Sequence, residues 1–138
     1  TNDLAITHSG SGLLTLGRPI DGAAAITKSG SGMVLLSAAN TFAGNVTISG
    51  GILQIGDAAS LGATSGDTFV TSGGTLSLNN KKLAAGETVS IAGDGQGGIG
   101  ALYQGTGNDA GANFIADGLI LTGNASVGCA SGVRSWPR

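Results

Sequence analysis

Apolar and polar residues alternate along this chain in short bursts, and each burst closes on glycine, asparagine or aspartate. "ITHSGSGLLTL" (Ile6–Leu16) and "ITKSGSGMVLL" (Ile26–Leu36) keep the same order of apolar, polar and glycine positions, and the second starts 20 residues after the first. "VTISGGILQIG" (Val46–Gly56) and "FVTSGGTLSLN" (Phe69–Asn79) share an SGG-x-L-x-[IL] core. "TVSIAG" (Thr88–Gly93), "GALYQG" (Gly100–Gly105) and "GLILTGNASVG" (Gly118–Gly128) continue the pattern. Period-two alternation bounded by turn residues predicts strands of about three to five residues with one face turned inward. The inward set is Leu14 and Leu16, Val34 and Leu36, Leu53 and Ile55, Leu76 and Leu78, Val89 and Ile91, and Leu119 and Leu121. Aligning the two SGG steps also places Phe69 and Thr71 inside and Val70 outside. No helix is expected: Asn80–Thr88 reads as a connecting loop, and Gly56–Gly62 as a single helical turn at most.

Recurrence at this interval marks a stacked architecture. A coil of short strands and tight turns rises by one strand spacing, about 4.8 Å, before the next begins. Equivalent strands then pair in parallel, and their inward side chains form continuous ladders. A β-sandwich also spaces its strands by regular turns, but it does not require near-identical phrases. The expected fold is therefore all-β: a β-solenoid of about six coils without significant helix, a rod roughly 30 Å long.

Composition supports this picture and narrows the function. The 138 residues include 27 glycines and only 2 prolines, with 41% hydrophobic, 10% charged and 4% aromatic residues. Mean hydropathy is +0.28, which is too apolar for a disordered chain. A net charge of −2 and six scattered basic residues argue against nucleic acid, whose phosphates select clustered Lys and Arg. The apolar runs are far too short to span a membrane as a helix, and no membrane contact is expected of this segment. No charged start followed by an apolar stretch is present, so no secretory leader is expected within these residues. The single cysteine, Cys129, has no internal disulfide partner and reads as an incidental thiol.

The stretch Ile26–Gly62 resembles the autotransporter-associated β-strand repeat, also called the passenger-associated transport repeat. Lys28, Gly30, Gly32, Val34 and Leu36 fit that family's K-x-G-x-G-x-L-x-L opening. Asn40, Thr41, Phe42 and Gly44 fit its N-T-[YF]-x-G step, and Gly51, Leu53, Ile55, Gly56, Leu61 and Gly62 fit its close. The resemblance divides the single solenoid segment into a partial repeat (1–25), the best-matching repeat (26–62), further coils (63–128) and an irregular end (129–138). It implies a right-handed parallel β-helix that forms part of an exported bacterial passenger, displayed at the cell surface or secreted.

Candidate chemistry is sparse. His8, the only histidine, aligns with Lys28 one repeat later, and a position accepting both reads as a solvated corner rather than a general base. The acidic residues Asp3, Asp21, Asp57, Asp67, Glu87, Asp94, Asp109 and Asp117 are dispersed and read as turn residues accepting local hydrogen bonds, whereas a β-helix polysaccharide lyase or hydrolase needs clustered carboxylates. "AGDGQGGIG" (Ala92–Gly100) is one imperfect Gly/Asp copy, whereas calcium-binding β-rolls need tandem nonapeptides. It also lacks the G-K-[ST] ending of a phosphate loop and reads as a flexible turn. The glycosylation patterns at Asn45–Thr47 and Asn124–Ser126 read as chance. Phe42, Phe69, Tyr103, Phe114 and Trp136 are too scattered for a sugar-stacking platform and are expected to cap ladders or cover edges.

No catalytic residue, metal site or cofactor is therefore expected. The lead expectation is a structural stalk segment; the rivals are an adhesin or matrix-forming subunit and a carbohydrate-active enzyme on the same scaffold. Expected partners are neighbouring coils of a longer passenger or head-to-tail copies of the chain itself, with a host or matrix ligand as a further option. At the N-terminal end only Asp3 and His8 offer protection to an open edge, while Arg134, Trp136, Pro137 and Arg138 are better placed to guard the other.

Overall fold

Alternation becomes burial strand by strand. In Val46–Ile48 the two aliphatic residues are buried and Thr47 between them is half-buried; Gly51–Ile55 repeats the same period. The computed structural model describes residues 2–105 and 118–130. Its strands in chain order are β1 (Leu4–Thr7), β2 (Leu13–Leu16), β3 (Ile26–Ser29), β4 (Met33–Leu36), β5 (Val46–Ile48) and β6 (Gly51–Ile55). They continue as β7 (Thr68–Val70), β8 (Gly74–Ser77), β9 (Val89–Gly93), β10 (Leu102–Gln104), β11 (Leu119–Ala125) and β12 (Val127–Cys129). The only helical element among the described residues is a 3-10 turn at Gln96–Gly98.

Odd-numbered strands form one six-stranded sheet, in the order β1-β3-β5-β7-β9-β11, and even-numbered strands form the other, in the order β12-β10-β8-β6-β4-β2. Every pairing is parallel. Each coil thus gives one strand to each sheet, and the chain winds through about five turns from its first pair to its last. The fold is the β-solenoid that the sequence period predicts.

Among the described residues, a third wall without regular strands closes the coils from β2 to β3 through β8 to β9. Its rungs are joined by backbone bonds such as Ala43 N–H to Gly22 O (2.9 Å), Ala63 N–H to Phe42 O (2.8 Å) and Ala84 N–H to Ala58 O (3.1 Å). Between the walls the inward residues stack as ladders. One runs Leu14, Val34, Leu53, Leu76, Leu102, Val127; another runs Ile6, Lys28, Ile48, Val70, Ile91, Leu121. Val34, Leu36, Leu53, Ile55, Leu76, Leu78, Val89 and Ile91 are all buried, as their alternation requires. Burying each such side chain is worth roughly 1.5–3 kcal/mol.

The end pairs of the inward set depart from this. Leu16 and Leu119 are only partly buried, while Leu14 is 37% and Leu121 67% exposed. Their registers, Leu14 with Val34 and Leu121 with Ile91, keep them on inward ladders. They are exposed because no described coil lies beyond them.

The expectation for β7 is overturned. Thr68 and Val70 are inside, whereas Phe69 is half-buried and Thr71 exposed. The SGG steps do align in the second sheet, where Gly51 pairs with Gly74, but in the first sheet Ile48 pairs with Val70. The corner between the sheets is Ser49–Gly50 in one coil and Thr71–Gly73 in the next. The extra residue lies between the sheets, and a one-residue slip exchanges the two faces of a strand.

Ala92–Gly100 is not a free turn. The Gln96 backbone N–H donates to Thr75 Oγ1 at 2.8 Å, and the Thr75 hydroxyl donates to Gly100 O at 2.8 Å. The Gln96 side chain accepts from the Gly51 N–H at 3.2 Å. The excursion between β9 and β10 is thereby folded back across β8 onto β6.

Candidate functional site

Lys28 sits where an aliphatic residue stands in the other coils of its ladder, between Ile6 and Ile48. Its side chain is fully buried. An ammonium offers three donors and no acceptor, and here the Nζ donates to Ser29 O (2.9 Å), Gly30 O (2.8 Å) and Gly50 O (3.0 Å). Burial pushes its pKa below the ordinary lysine value, while the three carbonyls favour the charged form. Backbone approaches this closely only at glycine: Gly51 has φ +69°, and a Cβ there would meet Gly30 O, Gly32 O and the Lys28 Nζ. The K-x-G-x-G spacing thus describes one object, an ammonium clasped by the corner that follows it.

This corrects the reading of Lys28 and His8 as equivalent solvated residues. The two near-identical phrases coincide in the second sheet, where Leu14 pairs with Val34, but in the first sheet Ile6 pairs with Lys28 rather than Ile26. The corner His8–Gly12 is two residues longer than Gly30–Gly32, and a two-residue offset preserves the in–out alternation. His8 is half-buried over Gly32, with its Nε2 at 2.7 Å from Gly12 O.

The N-T-F step forms a second polar joint, in the third wall. Buried Asn40 accepts from the Ile20 N–H at 2.9 Å and donates to Ser60 O at 2.6 Å, so one amide bridges the coils on both sides. Ser60, fully buried, donates to Leu36 O at 2.7 Å and accepts from the Asp57 N–H at 3.0 Å. Phe42 is fully buried, and Gly62, at φ +86°, leaves room for its ring.

The carboxylates are mostly structural acceptors. Asp3 accepts from the Ala25 N–H, Asp57 from the Ala59 N–H and Asp94 from the Ser126 hydroxyl. Glu87 departs from the reading as a turn residue with a local partner: it is buried, and Thr68 Oγ1 of the preceding coil donates to its Oε1 at 2.7 Å. Burial raises its pKa above the ordinary carboxylate value, the Thr68 hydrogen bond opposes this, and the charge of Asp67 adds to the rise. Asp109, Asp117, Phe114 and Trp136 lie outside the described residues. Among the described residues no group of three or more His, Cys, Asp or Glu could hold a metal ion.

Gln104 escaped the sequence reading. It stands on an inward ladder opposite Cys129, and its buried Oε1 has no hydrogen-bond partner; only its polarity at an apolar position could have flagged it. Cys129 is exposed. Asn45, in the first glycosylation pattern, accepts from the Asp67 N–H at 2.9 Å and so serves the third wall.

With Lys28 and Asn40 both turned to neighbouring backbone, comparison with known families identifies the coil that holds them. Residues 26–55 match the family model described as the passenger-associated-transport-repeat. That stretch is similar to the passenger-associated transport repeat. It runs from β3 through β6 and contains Lys28, Gly51 and the Asn40 joint. No curated protein and no solved structure matches the chain. The repeat and the β-solenoid together fit a segment of an autotransporter passenger.

Proposed function

We propose that the chain is a structural stalk segment of an exported, autotransporter-like passenger, displayed at the bacterial surface or released from it, which supports passenger display or secretion. The observation that carries this reading is the direction of the repeat's own polar side chains. Lys28 and Asn40 are spent on backbone groups of their own and adjacent coils, so the repeat's most specific residues join rungs rather than present a surface. Parallel ladders transmit load along the stack, and rungs that complete one another suit a chain folding as it emerges. The carboxylates of Asp3, Asp57, Glu87 and Asp94 each serve a backbone N–H or a single hydroxyl, which favours a structural role over polysaccharide cleavage.

The test is a display assay. The chain is placed between an N-terminal epitope and an outer-membrane translocator barrel, beside a version lacking residues 26–55. The stalk reading expects the intact chain to present the epitope in a protease-resistant form and the shortened one to lose both properties. Equal display and equal resistance would overturn it.

A further inference from the structure

We propose that the outer face of the first sheet docks a neutral polysaccharide, with the Phe69 ring stacked on a sugar and the surrounding hydroxyls bonded to it. The slip that turns β7 over creates this site. Thr68 and Val70 point inward, so Phe69 stands outward, in one column with Thr27 and Thr47 of the preceding coils. A second outward column, roughly 6.6 Å away along the strands, runs through Ser29, Ser49 and Thr71. Its register follows from the Ser49 N–H donating to Lys28 O and the Thr71 N–H to Ile48 O. Thr27, Ser49 and Thr71 are exposed, and Ser29, Thr47 and Phe69 are half-buried. Strands β3, β5 and β7 each have a described strand on both sides, so this face belongs to the middle of the rod.

The hydroxyls are held in place. Ser49 Oγ donates to Lys28 O at 3.2 Å and Thr71 Oγ1 to Ile48 O at 3.3 Å. Each bond runs to the preceding coil and leaves the oxygen free to accept from solvent or ligand. The Thr27 and Thr47 hydroxyls have no partner among the described residues and remain available as donors. A sugar complements this mixture, because its hydroxyls both donate and accept while its C–H face is apolar and covers an aromatic ring. One ring alone is no stacking platform; one ring among ordered hydroxyls supplies both halves of the contact. Side chains already fixed by short bonds lose little further entropy on binding.

Charge selects a neutral chain. None of these outward positions is charged, and Lys28, on β3, turns its ammonium to buried carbonyls. Arg18, Lys81 and Lys82 follow strands of the second sheet, and Arg134 to Arg138 lie outside the described residues. The charges at the margins are acidic and exposed: Asp67 just before β7 and Asp94 just after β9. A polyuronate or sulfated chain would meet repulsion there and no base. A protein partner would call for a contiguous apolar patch, whereas this face holds a single ring. Columns that repeat about every 4.8 Å suit a ligand that repeats as well.

This goes beyond the stalk reading and does not depend on it. The test is electrophoresis of the full chain through native gels containing soluble glucan, mannan or galactan. The wild type is expected to be retarded by at least one of these neutral polymers and not by polygalacturonate. Phe69→Ala and Phe69→Leu, which keeps apolar bulk without the ring, should each weaken binding roughly tenfold, and Phe69→Trp should retain it. Thr71→Val keeps the shape, loses the hydroxyl and should also bind more weakly. Gln54→Ala, at an outward position of the second sheet, should equal the wild type. Thermal melting by circular dichroism confirms that each variant is folded. No retardation by any neutral polymer, stronger retardation by polygalacturonate, or Phe69→Leu equal to the wild type overturns the proposal. Self-association without glycan that Phe69→Leu abolishes overturns it too, since the ring would then serve a protein contact. Each of these results leaves the display assay to decide the stalk reading separately.

Discussion

Ile6 stacks on Lys28. An aliphatic side chain and an ammonium share one ladder because the ammonium turns its three protons to backbone oxygens instead of to a counter-ion. Replacing it therefore removes donors rather than a charge pair. Lys28→Met keeps the apolar stem but takes that donor from the half-buried Gly30 and Gly50 carbonyls, while Ser29 O keeps the His8 N–H, at about 1–3 kcal/mol for an unsatisfied group. Urea unfolding should show a loss of roughly 2–4 kcal/mol; a neutral result would mean that water replaces the ammonium.

Gly51→Ala should be more damaging than its size suggests. It combines φ +69° with a Cβ directed at Gly30 O, Gly32 O and Lys28 Nζ. Left-handed strain alone costs about 1–3 kcal/mol, and the backbone contacts add to it. Gly97→Ala has similar strain, φ +61°, but open space. Melting temperatures should fall much further for Gly51→Ala, and equal falls would assign the whole effect to φ.

The inside–outside register is checked by two substitutions on neighbouring coils. Leu36→Asp places an unpaired charge on a fully buried position between Leu16 and Ile55, which should cost several kcal/mol. Thr47→Lys extends outward from a half-buried position and should stay within about 0.5 kcal/mol. Similar midpoints in denaturant would mean that the assignment is wrong.

Glu87 makes stability depend on pH. Its folded carboxyl holds its proton to higher pH than the ordinary value of 4.5, so the folded state binds more protons than the unfolded state in that window. The contribution is complete below the unfolded pKa and is lost as pH rises through the folded one. Glu87→Gln keeps an acceptor for the Thr68 hydroxyl and removes the titration. The variant should gain on the wild type as pH rises from 4 to 8, and parallel profiles would exclude Glu87 as the source.

The strands, their inward faces and the stacked fold were legible because alternation and turn residues act locally, as Val34, Leu36, Leu53 and Ile55 show. Register was legible only in part. Ile6 over Lys28 and Val70 in place of Phe69 both follow from corner lengths, which decide how one sheet is phased against the other. The repeat itself was readable from Lys28 to Ile55, but what its lysine does was not. A charged residue reads as solvent-facing until the carbonyls that receive it are seen, and Gly50 O comes from the coil that follows. Glu87 was misread for the same reason: its partner Thr68 precedes it by most of a coil.

Gln96 ties its own coil to Gly51 and Thr75, reaching past its immediate neighbour to the coil beyond. In a simple stack each rung contacts only the next, and stability is a sum of nearest-neighbour terms from which single rungs can peel. This clasp makes the rungs carrying β6, β8 and β10 share one fate. Under a pulling force or in denaturant, rungs on either side fray one at a time, while these three open together as a single cooperative block, giving a hinge-free middle between two ends that can breathe.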